Sequence, residues 1–228
     1  MTEPNPQRLP STHLEDLAFI ALSARADTAE FDPYPDLSTD PRARLRSRLK
    51  QMSRFDWPSS VKEDPALRRG YTLRQCFRLA VALQLLDAYL PASDAVRLAQ
   101  HNEGAIMTAI EQRLRDPSRL EPSPDDLIAV LMSGEIQDAL GLPDDGERQS
   151  ARMRLVRRAN MSNLWSGDLA GSGARLTLDA GSMACALWRW LSGRRLLTDM
   201  ARIELLTEIA QANEDADFLP IQDKKRRR

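Results

Sequence analysis

The chain has 228 residues, enough for one large domain or two small ones with a hydrophobic core that needs no crosslinks. Its two cysteines have no second cysteine or histidine at ligand spacing, so we expect no disulfide framework, no metal site and no other cofactor. The N-terminus lacks the pattern of a signal peptide, and no apolar run approaches the roughly 20 residues that span a bilayer. We therefore expect a cytoplasmic protein without membrane contact.

The formal net charge of -1 hides an uneven distribution of charged residues. Residues 40–84 hold eleven Lys or Arg against four acids, whereas residues 85–150 hold five against thirteen. A basic block between acidic blocks is what a local phosphate-binding face requires, although a shuffled chain of this composition can also produce one such block by chance. The charge pattern favours a nucleic-acid ligand.

The first 39 residues are acidic and rich in proline, which predicts a largely disordered N-terminal arm. Leu14, Leu17, Ala18 and Leu22 recur inside it at helical spacing. We expect at most one short helix here, docked on the folded body or on a partner.

A basic helix is predicted over Arg42–Met52, because a capping residue followed by proline precedes it. Arg44 and Arg48 lie four residues apart on this helix, and they either contact phosphates or form a solvated surface. Positive charges along one helix repel one another unless an anion offsets them, and this repulsion favours the interpretation as a phosphate contact.

Two prolines, Pro58 and Pro65, then predict a loop or a wing. We expect Trp57 to be a core residue beneath it rather than a base-stacking one. Apolar periodicity after this loop predicts three more helices, over about residues 72–88, 93–100 and 104–116. Residues 40–117 therefore form the predicted first domain.

Residues 118–219 are predicted to form a second, helical domain, after which comes a basic tail at 220–228. We expect helices at Leu127–Met132 and Glu147–Ala159, with a linker at 141–146 between them. A short strand at Ala174–Leu178 is followed by Asp179, which caps a helix over Ala180–Leu191. The last helix, Thr198–Ala212, carries an apolar stripe that packs either in a homodimer or within the chain; its members are Met200, Ile203, Leu205, Leu206 and Ile209.

A recognisable order of residues lies within 58–100. The run Leu67-Arg68-Arg69-Gly70-Tyr71-Thr72-Leu73-Arg74-Gln75 is followed by Tyr89-Leu90-Pro91-Ala92-Ser93-Asp94 between two helices. This order resembles the wing and the following helix pair of MerR-like winged helix-turn-helix regulators. The resemblance implies that Arg68, Arg69 and Tyr71 approach DNA phosphates at the wing, and that Arg74 lies close to the DNA backbone at the helix start. Such contacts set register and affinity but do not read bases.

The sequence thus predicts a mainly α fold, with a winged-helix-like N-terminal DNA-binding domain followed by a helical C-terminal domain. We expect a nucleoid-associated transcriptional regulator and a homodimer, which contacts double-stranded DNA through Arg44, Arg48, Lys62, Arg68, Arg69, Tyr71 and Arg74.

The alternative is a helical protein–protein adaptor that uses the acidic 85–150 block as its partner surface. Catalysis is not expected in either case, because His13 and His101 have no partner at informative spacing and the acid pairs lie at caps and turns.

Overall fold

The computed structural model of the protein describes residues 7–23, 39–60, 62–119, 121–131, 153–162 and 176–215. The linker expected at 141–146 and the basic tail at 220–228 lie outside them. The described residues form seven α-helices, which confirms a mainly helical fold. The helices are α1 Leu14–Ser23, α2 Thr39–Ser53, α3 Leu73–Asp87, α4 Ala92–His101, α5 Glu103–Leu114, α6 Ala180–Gly193 and α7 Asp199–Asp215.

A small antiparallel sheet, with strand order β2-β1-β3, accompanies the helices. Its strands are β1 Leu127–Leu131, β2 Arg154–Arg157 and β3 Leu176–Leu178. The strand expected near 174–178 is confirmed. The two helices expected at Leu127–Met132 and Glu147–Ala159 are wrong, because their described parts form β1 and β2. The apolar run of β1 is five residues long and nearly all buried, and a short run of this kind fits a central strand as well as a helix.

Side chains on both sides of the predicted domain boundary at 117/118 share one hydrophobic core. Helix α5, before the boundary, packs closely on α6, after it. Gly181 permits this approach, since a Cβ at that position would lie 2.5 Å from Arg113 Cγ and 3.1 Å from the Ala109 carbonyl oxygen. Trp188 and Trp190 both enter this core. The hydrophobic core of the described residues therefore extends across this boundary.

Part of the predicted N-terminal arm belongs to the core as well. Leu9, Leu17 and Ile20 are fully buried, and α1 packs on α2, α3 and α6. Residues 7–23 are therefore ordered, unlike the largely disordered arm that the sequence predicts. The short helix in this segment is docked on the folded body. Residues 24–38 lie outside the described part of the chain.

The connection between α2 and α3 contains a cis peptide bond at Trp57–Pro58 and a 3₁₀ helix at Pro65–Arg69. Among its described residues no two strands pair with each other, so the hairpin-like wing expected here is not confirmed. Its one bridge is formed instead by Tyr71, which pairs with Leu9 from the N-terminal segment. Helix α3 then begins with a capping box, in which Thr72 and Gln75 satisfy each other's backbone N–H groups.

The N-terminal segment before α1 clamps the corner that precedes α3. The Arg8 guanidinium donates to both carboxylate oxygens of Asp64, at 2.8 and 3.1 Å, and to the Gly70 carbonyl at 3.0 Å. Asp64 also accepts a hydrogen bond from Gln75 Nε2 at 2.8 Å. Because the Arg8 and Asp64 side chains are largely shielded from water, this bidentate pair is stronger than one on the surface.

Backbone contacts complete the clamp. Leu9 and Tyr71 exchange two N–H···O=C bonds of 2.8 and 2.7 Å. Gly70, between the arginines and Tyr71, has φ +135°, and a Cβ there would lie 2.4 Å from the Leu9 carbonyl oxygen. Only glycine fits this position, so the glycine of the Arg-Arg-Gly-Tyr corner has a structural role.

Tyr89, just past the end of α3, has a backbone conformation that is unusual for its residue type. Its φ is +65°, in the left-handed region that glycine or asparagine normally occupies at helix ends, and the residue is 98% exposed. Its N–H donates to the Leu86 carbonyl at 3.2 Å, which closes the helix. Packing of the ring therefore does not explain why a tyrosine stands here.

Replacing Asp64 by Asn should lower the free energy of unfolding by about 1–3 kcal/mol at neutral pH, since the partly buried Arg8 guanidinium loses its charged partner. The bonds from Arg8, aided by one from Gln75, hold the pKa of Asp64 below its ordinary value. A lowered folded-state pKa stabilises the fold above the unfolded pKa, near 4, and the benefit is lost as pH falls through the folded value.

The measurement is urea denaturation of the wild type and Asp64→Asn over a pH series. The stability gap between them should shrink below about pH 4, where Asp64 begins to protonate in the unfolded chain. Asp125→Asn is the control, because the Asp125 side chain is 76% exposed and its ion pair with Arg157 is long, at 3.6 Å. A gap that stays constant with pH would show that the Asp64 charge does not stabilise the fold.

Replacing Tyr89 by Gly should raise the free energy of unfolding by about 0.5–1 kcal/mol, because glycine adopts a left-handed φ without the steric cost that a Cβ carries. Tyr89→Ala is the matched control: it removes the same ring but keeps the Cβ, so it should give no such gain. Urea denaturation measures the stability of both variants. Equal stability of the Gly and Ala variants would show that the left-handed φ at this position does not strain the backbone.

Candidate nucleic-acid interface

The seven residues that the sequence assigns to DNA contact do not form one cluster. Arg48 lies beside the C-terminal end of α3, where its Nη1 donates to Asp87 Oδ1 at 2.6 Å. Arg74 lies in the first turn of the same helix, so the two arginines contact points that are separated by roughly 20 Å along its axis. Arg44 is exposed one turn before Arg48 on α2.

Arg74 is occupied by carboxylates of its own chain. Its guanidinium contacts Glu103 at 2.9 Å and Glu208 at 3.6 Å, and Glu103 also lies 3.5 Å from Arg78. The interaction predicted for Arg74, a contact with the DNA backbone, would have to compete with these intramolecular pairs. The structure assigns Arg74 to the attachment of α3 to α5 and α7.

Tyr71 has a structural role as well. Its backbone pairs with Leu9, and its side chain is half-buried, so that burial raises the pKa of its phenol above the ordinary value. The position of Tyr71 is therefore fixed by the clamp rather than left open towards a ligand.

The loop after α2 is attached to α3 at two residues that lie about one turn apart, Gln75 and Arg78. Trp57 is buried, and its Nε1 donates to the Arg78 carbonyl at 3.0 Å, while the Arg78 guanidinium lies 4.3 Å from the centre of the Trp57 ring. Asp64 holds Gln75, three residues before Arg78. Burial lowers the pKa of Arg78, and the nearby Glu103 opposes this effect. Trp57 is thus a core residue beneath the loop, as predicted.

Five exposed cations lie at the end of α2 and along the connection that follows it, and we call them the basic face: Lys50, Arg54, Lys62, Arg68 and Arg69. Among the described residues, none of these side chains has a hydrogen bond or an ion pair with another residue. Elsewhere in the described chain many arginines contact carboxylates, as Arg46 does with Glu15 and Arg115 with Glu111. The basic face is therefore the part of the site with charge available for an external anion.

Two exposed acids lie within the same stretch, Asp56 and Glu63. Glu63 accepts hydrogen bonds from the Ser60 N–H at 3.0 Å and from the Ser59 hydroxyl at 3.1 Å, and these lower its pKa. Glu63 therefore stays ionised at neutral pH. The basic face still has an excess of three positive charges over these two acids.

Sequence reasoning identified Lys62, Arg68 and Arg69 but passed over Lys50 and Arg54. The signal was present, because Lys50 lies in the last turn of the predicted basic helix and Arg54 follows the end of that helix by two residues. The partners that occupy Arg48 and Arg74 could not be recognised in this way, since Asp87, Glu103 and Glu208 lie far from them along the chain.

The described part of the chain offers few groups for metal binding or nucleophilic catalysis. No three His, Cys, Asp or Glu residues there are grouped so that they could hold a metal ion. Cys76 and Cys185 are buried, and burial raises the pKa of both thiols, which makes them poor nucleophiles. No helix in these ranges combines the length and apolar character that crossing a membrane requires.

No protein-family model matches the chain, and no curated protein or solved structure matches it either. The resemblance to MerR-like regulators therefore stays a prediction.

Proposed function

We propose that this protein binds double-stranded DNA through phosphate contacts at the basic face and acts as a transcriptional regulator. The observation that carries the proposal is the set of five exposed cations that lack a carboxylate partner among the described residues. Cations grouped in this way repel one another, and a polyanion relieves the repulsion while it releases its own counterions. Phosphate contacts of this kind supply affinity and orientation without reading the sequence.

The clamp supports this proposal because it preorganises the contact. Arg68 and Arg69 form the end of the 3₁₀ helix whose N-cap is Asp64, and Asp64 is held by Arg8 and Gln75. A corner that is already ordered loses less conformational entropy on binding than a flexible loop does. In the winged-helix interpretation, which remains part of the proposal, this corner and Lys62 take the place of the wing, and α3 and α4 are the helix pair that follows it.

The other predicted DNA contacts have smaller roles in this proposal. Arg44 and Arg48 both have interactions within the chain, so each contributes only if DNA displaces its partner, which for Arg48 is Asp87. Tyr71 and Arg74 position the corner and the start of α3 through their contacts within the chain.

We also propose that the protein is a homodimer through the exposed side of α7. Leu205 and Ile209, two members of the predicted dimerisation stripe, are buried within the chain, while Met200 is 57% exposed and Ile203 47%. Met200 and Ile203 are three residues apart, so they lie on one side of the helix. A second copy that packs on this side would cover both side chains.

Replacement of Arg68 and Arg69 by Ala should weaken binding to duplex DNA uniformly across sequences and flatten the slope of log K against log salt by about two units, because two phosphate contacts are lost. Fluorescence anisotropy over a salt series on a labelled duplex measures both effects.

The control is Arg115→Ala with Arg157→Ala, which removes the same charge from two exposed arginines that pair with Glu111 and Asp125. This control should leave the slope nearly unchanged. If the wild type shows no salt-sensitive binding at low ionic strength, the proposal fails and the adaptor alternative gains support.

Met200→Ser with Ile203→Ser should convert the dimer to a monomer, because the exposed apolar contact of α7 is removed. Light scattering at micromolar concentration measures the molecular mass of the wild type and of the double variant. Ile203→Val is the conservative control and should remain dimeric. A monomeric mass for the wild type would refute the proposed dimer.

A further inference from the structure

Three consecutive residues before α1, Gln7–Leu9, connect two parts of the chain that are far apart in sequence, and we call them the strap. Gln7 Oε1 accepts hydrogen bonds from the N–H and the hydroxyl of Thr198, at 2.8 and 2.9 Å, directly before α7. The other two residues, Arg8 and Leu9, contact the corner that precedes α3. The strap therefore joins the start of α7 to this corner.

The strap is bonded to the corner immediately after its two arginines. Arg8 donates to the Gly70 carbonyl at 3.0 Å, and Leu9, which is fully buried, exchanges two backbone hydrogen bonds with Tyr71. Gly70 lies so close to the strap that a Cβ there would be 2.4 Å from the Leu9 carbonyl oxygen. The backbone that follows Arg69 is therefore shaped by the strap.

The strap also holds the beginning of the 3₁₀ helix that carries the two arginines. Arg8 pairs with both carboxylate oxygens of Asp64, the N-cap of this helix, and Asp64 accepts from the Ala66 N–H at 3.0 Å. Arg8 thus forms bonds on both sides of Arg68 and Arg69 along the chain. Its own side chain is only 12% exposed and bonded within the protein, so it is not positioned to contact a phosphate.

From these contacts we infer that the strap regulates the proposed DNA contact. In the docked state the backbone of Arg68 and Arg69 is ordered before DNA arrives. When the strap undocks, both arginines remain, but their backbone must be ordered during binding, which lowers affinity without removing a phosphate contact. This inference rests on the proposed function and names a control element for the same site.

The effect must be reciprocal. If the docked state binds DNA more tightly than the undocked state, DNA favours docking by the same factor. The amides of Leu9 and Tyr71 report on docking, because each donates to the carbonyl of the other residue, at 2.7 and 2.8 Å. Their hydrogen exchange therefore follows the strap itself rather than the charge of the arginines.

The test variant is Arg8→Gln with Asp64→Asn, which removes one charge of each sign and leaves the net charge of the corner unchanged. It should bind duplex DNA about tenfold more weakly than the wild type, the cost of ordering roughly one more residue of backbone. The slope of log K against log salt should remain that of the wild type, because the phosphate contacts of Arg68 and Arg69 are retained. Fluorescence anisotropy over a salt series measures both quantities.

Two further measurements do not depend on the stability of that variant. In the wild type, saturating duplex DNA should slow hydrogen exchange at the Leu9 and Tyr71 amides by about the same tenfold factor. Gln7→Ala removes the attachment to Thr198 without a change of charge, and it should weaken DNA binding in the same direction.

The matched control is Arg158→Gln with Asp179→Asn. Arg158 pairs with Asp179, the N-cap of α6, as Arg8 pairs with the N-cap Asp64, and the Asp179 side chain accepts from the Ser182 N–H at 3.0 Å. This control removes the same two charges from a different helix start, so the affinity for DNA should stay within about twofold of the wild type. Urea denaturation verifies that both double variants are folded under the conditions of the binding assay.

Equal DNA affinity of the wild type and the Arg8→Gln, Asp64→Asn variant would overturn this inference and leave the proposed function intact, provided that binding is salt-sensitive. A flatter salt slope in this variant would also overturn it, because Arg8 would then be a phosphate contact itself. Exchange at Leu9 and Tyr71 that DNA leaves unchanged would contradict the reciprocal effect and overturn it as well. Absence of salt-sensitive binding by the wild type would instead overturn the proposed function, and the inference with it.

Discussion

The bidentate pair between Arg8 and Asp64 is the interaction on which the rest of the candidate site depends. It joins residues that are 56 positions apart, and it fixes the N-terminal segment against the loop that precedes α3. Gln7 extends the same segment to α7, since its Oε1 accepts hydrogen bonds from the N–H and the hydroxyl of Thr198, at 2.8 and 2.9 Å. One short stretch of chain thereby holds the basic corner, the start of α3 and the start of α7 in a fixed relation.

The clamp also separates cations with an internal role from cations that face solvent. Arg8, Arg74 and Arg78 contact carboxylates or the Trp57 ring, and breaking such contacts in a shielded environment leaves an uncompensated charge. The cations of the basic face make no such contacts with described residues, so a ligand can bind them without first breaking an ion pair. Position in the fold, rather than the number of arginines in the sequence, decides which charges are available.

The sequence predicts the helices well because their apolar residues recur at the helical period over ten or more positions, as in α3. It fails at β1, because Leu127–Leu131 is a short, continuous apolar run without a period that distinguishes helix from strand. For the candidate site, Lys62, Arg68 and Arg69 are exposed as expected. Neither the Arg8–Asp64 pair nor the carboxylates around Arg74 could be predicted, since long-range pairing leaves no local pattern. The left-handed φ of Tyr89 leaves none either.

Helix α3 is the element to which both parts of the α2–α3 connection are attached. Asp64 and Gln75 join the corner to the first turn of this helix, and Trp57 joins the loop after α2 to Arg78, three residues further along. Because both attachments lie on one rigid helix, the corner and the loop keep a fixed relation to each other. An anion that contacted the corner would therefore meet the rest of the connection in a defined orientation, and a contact of this kind would weaken as salt rises.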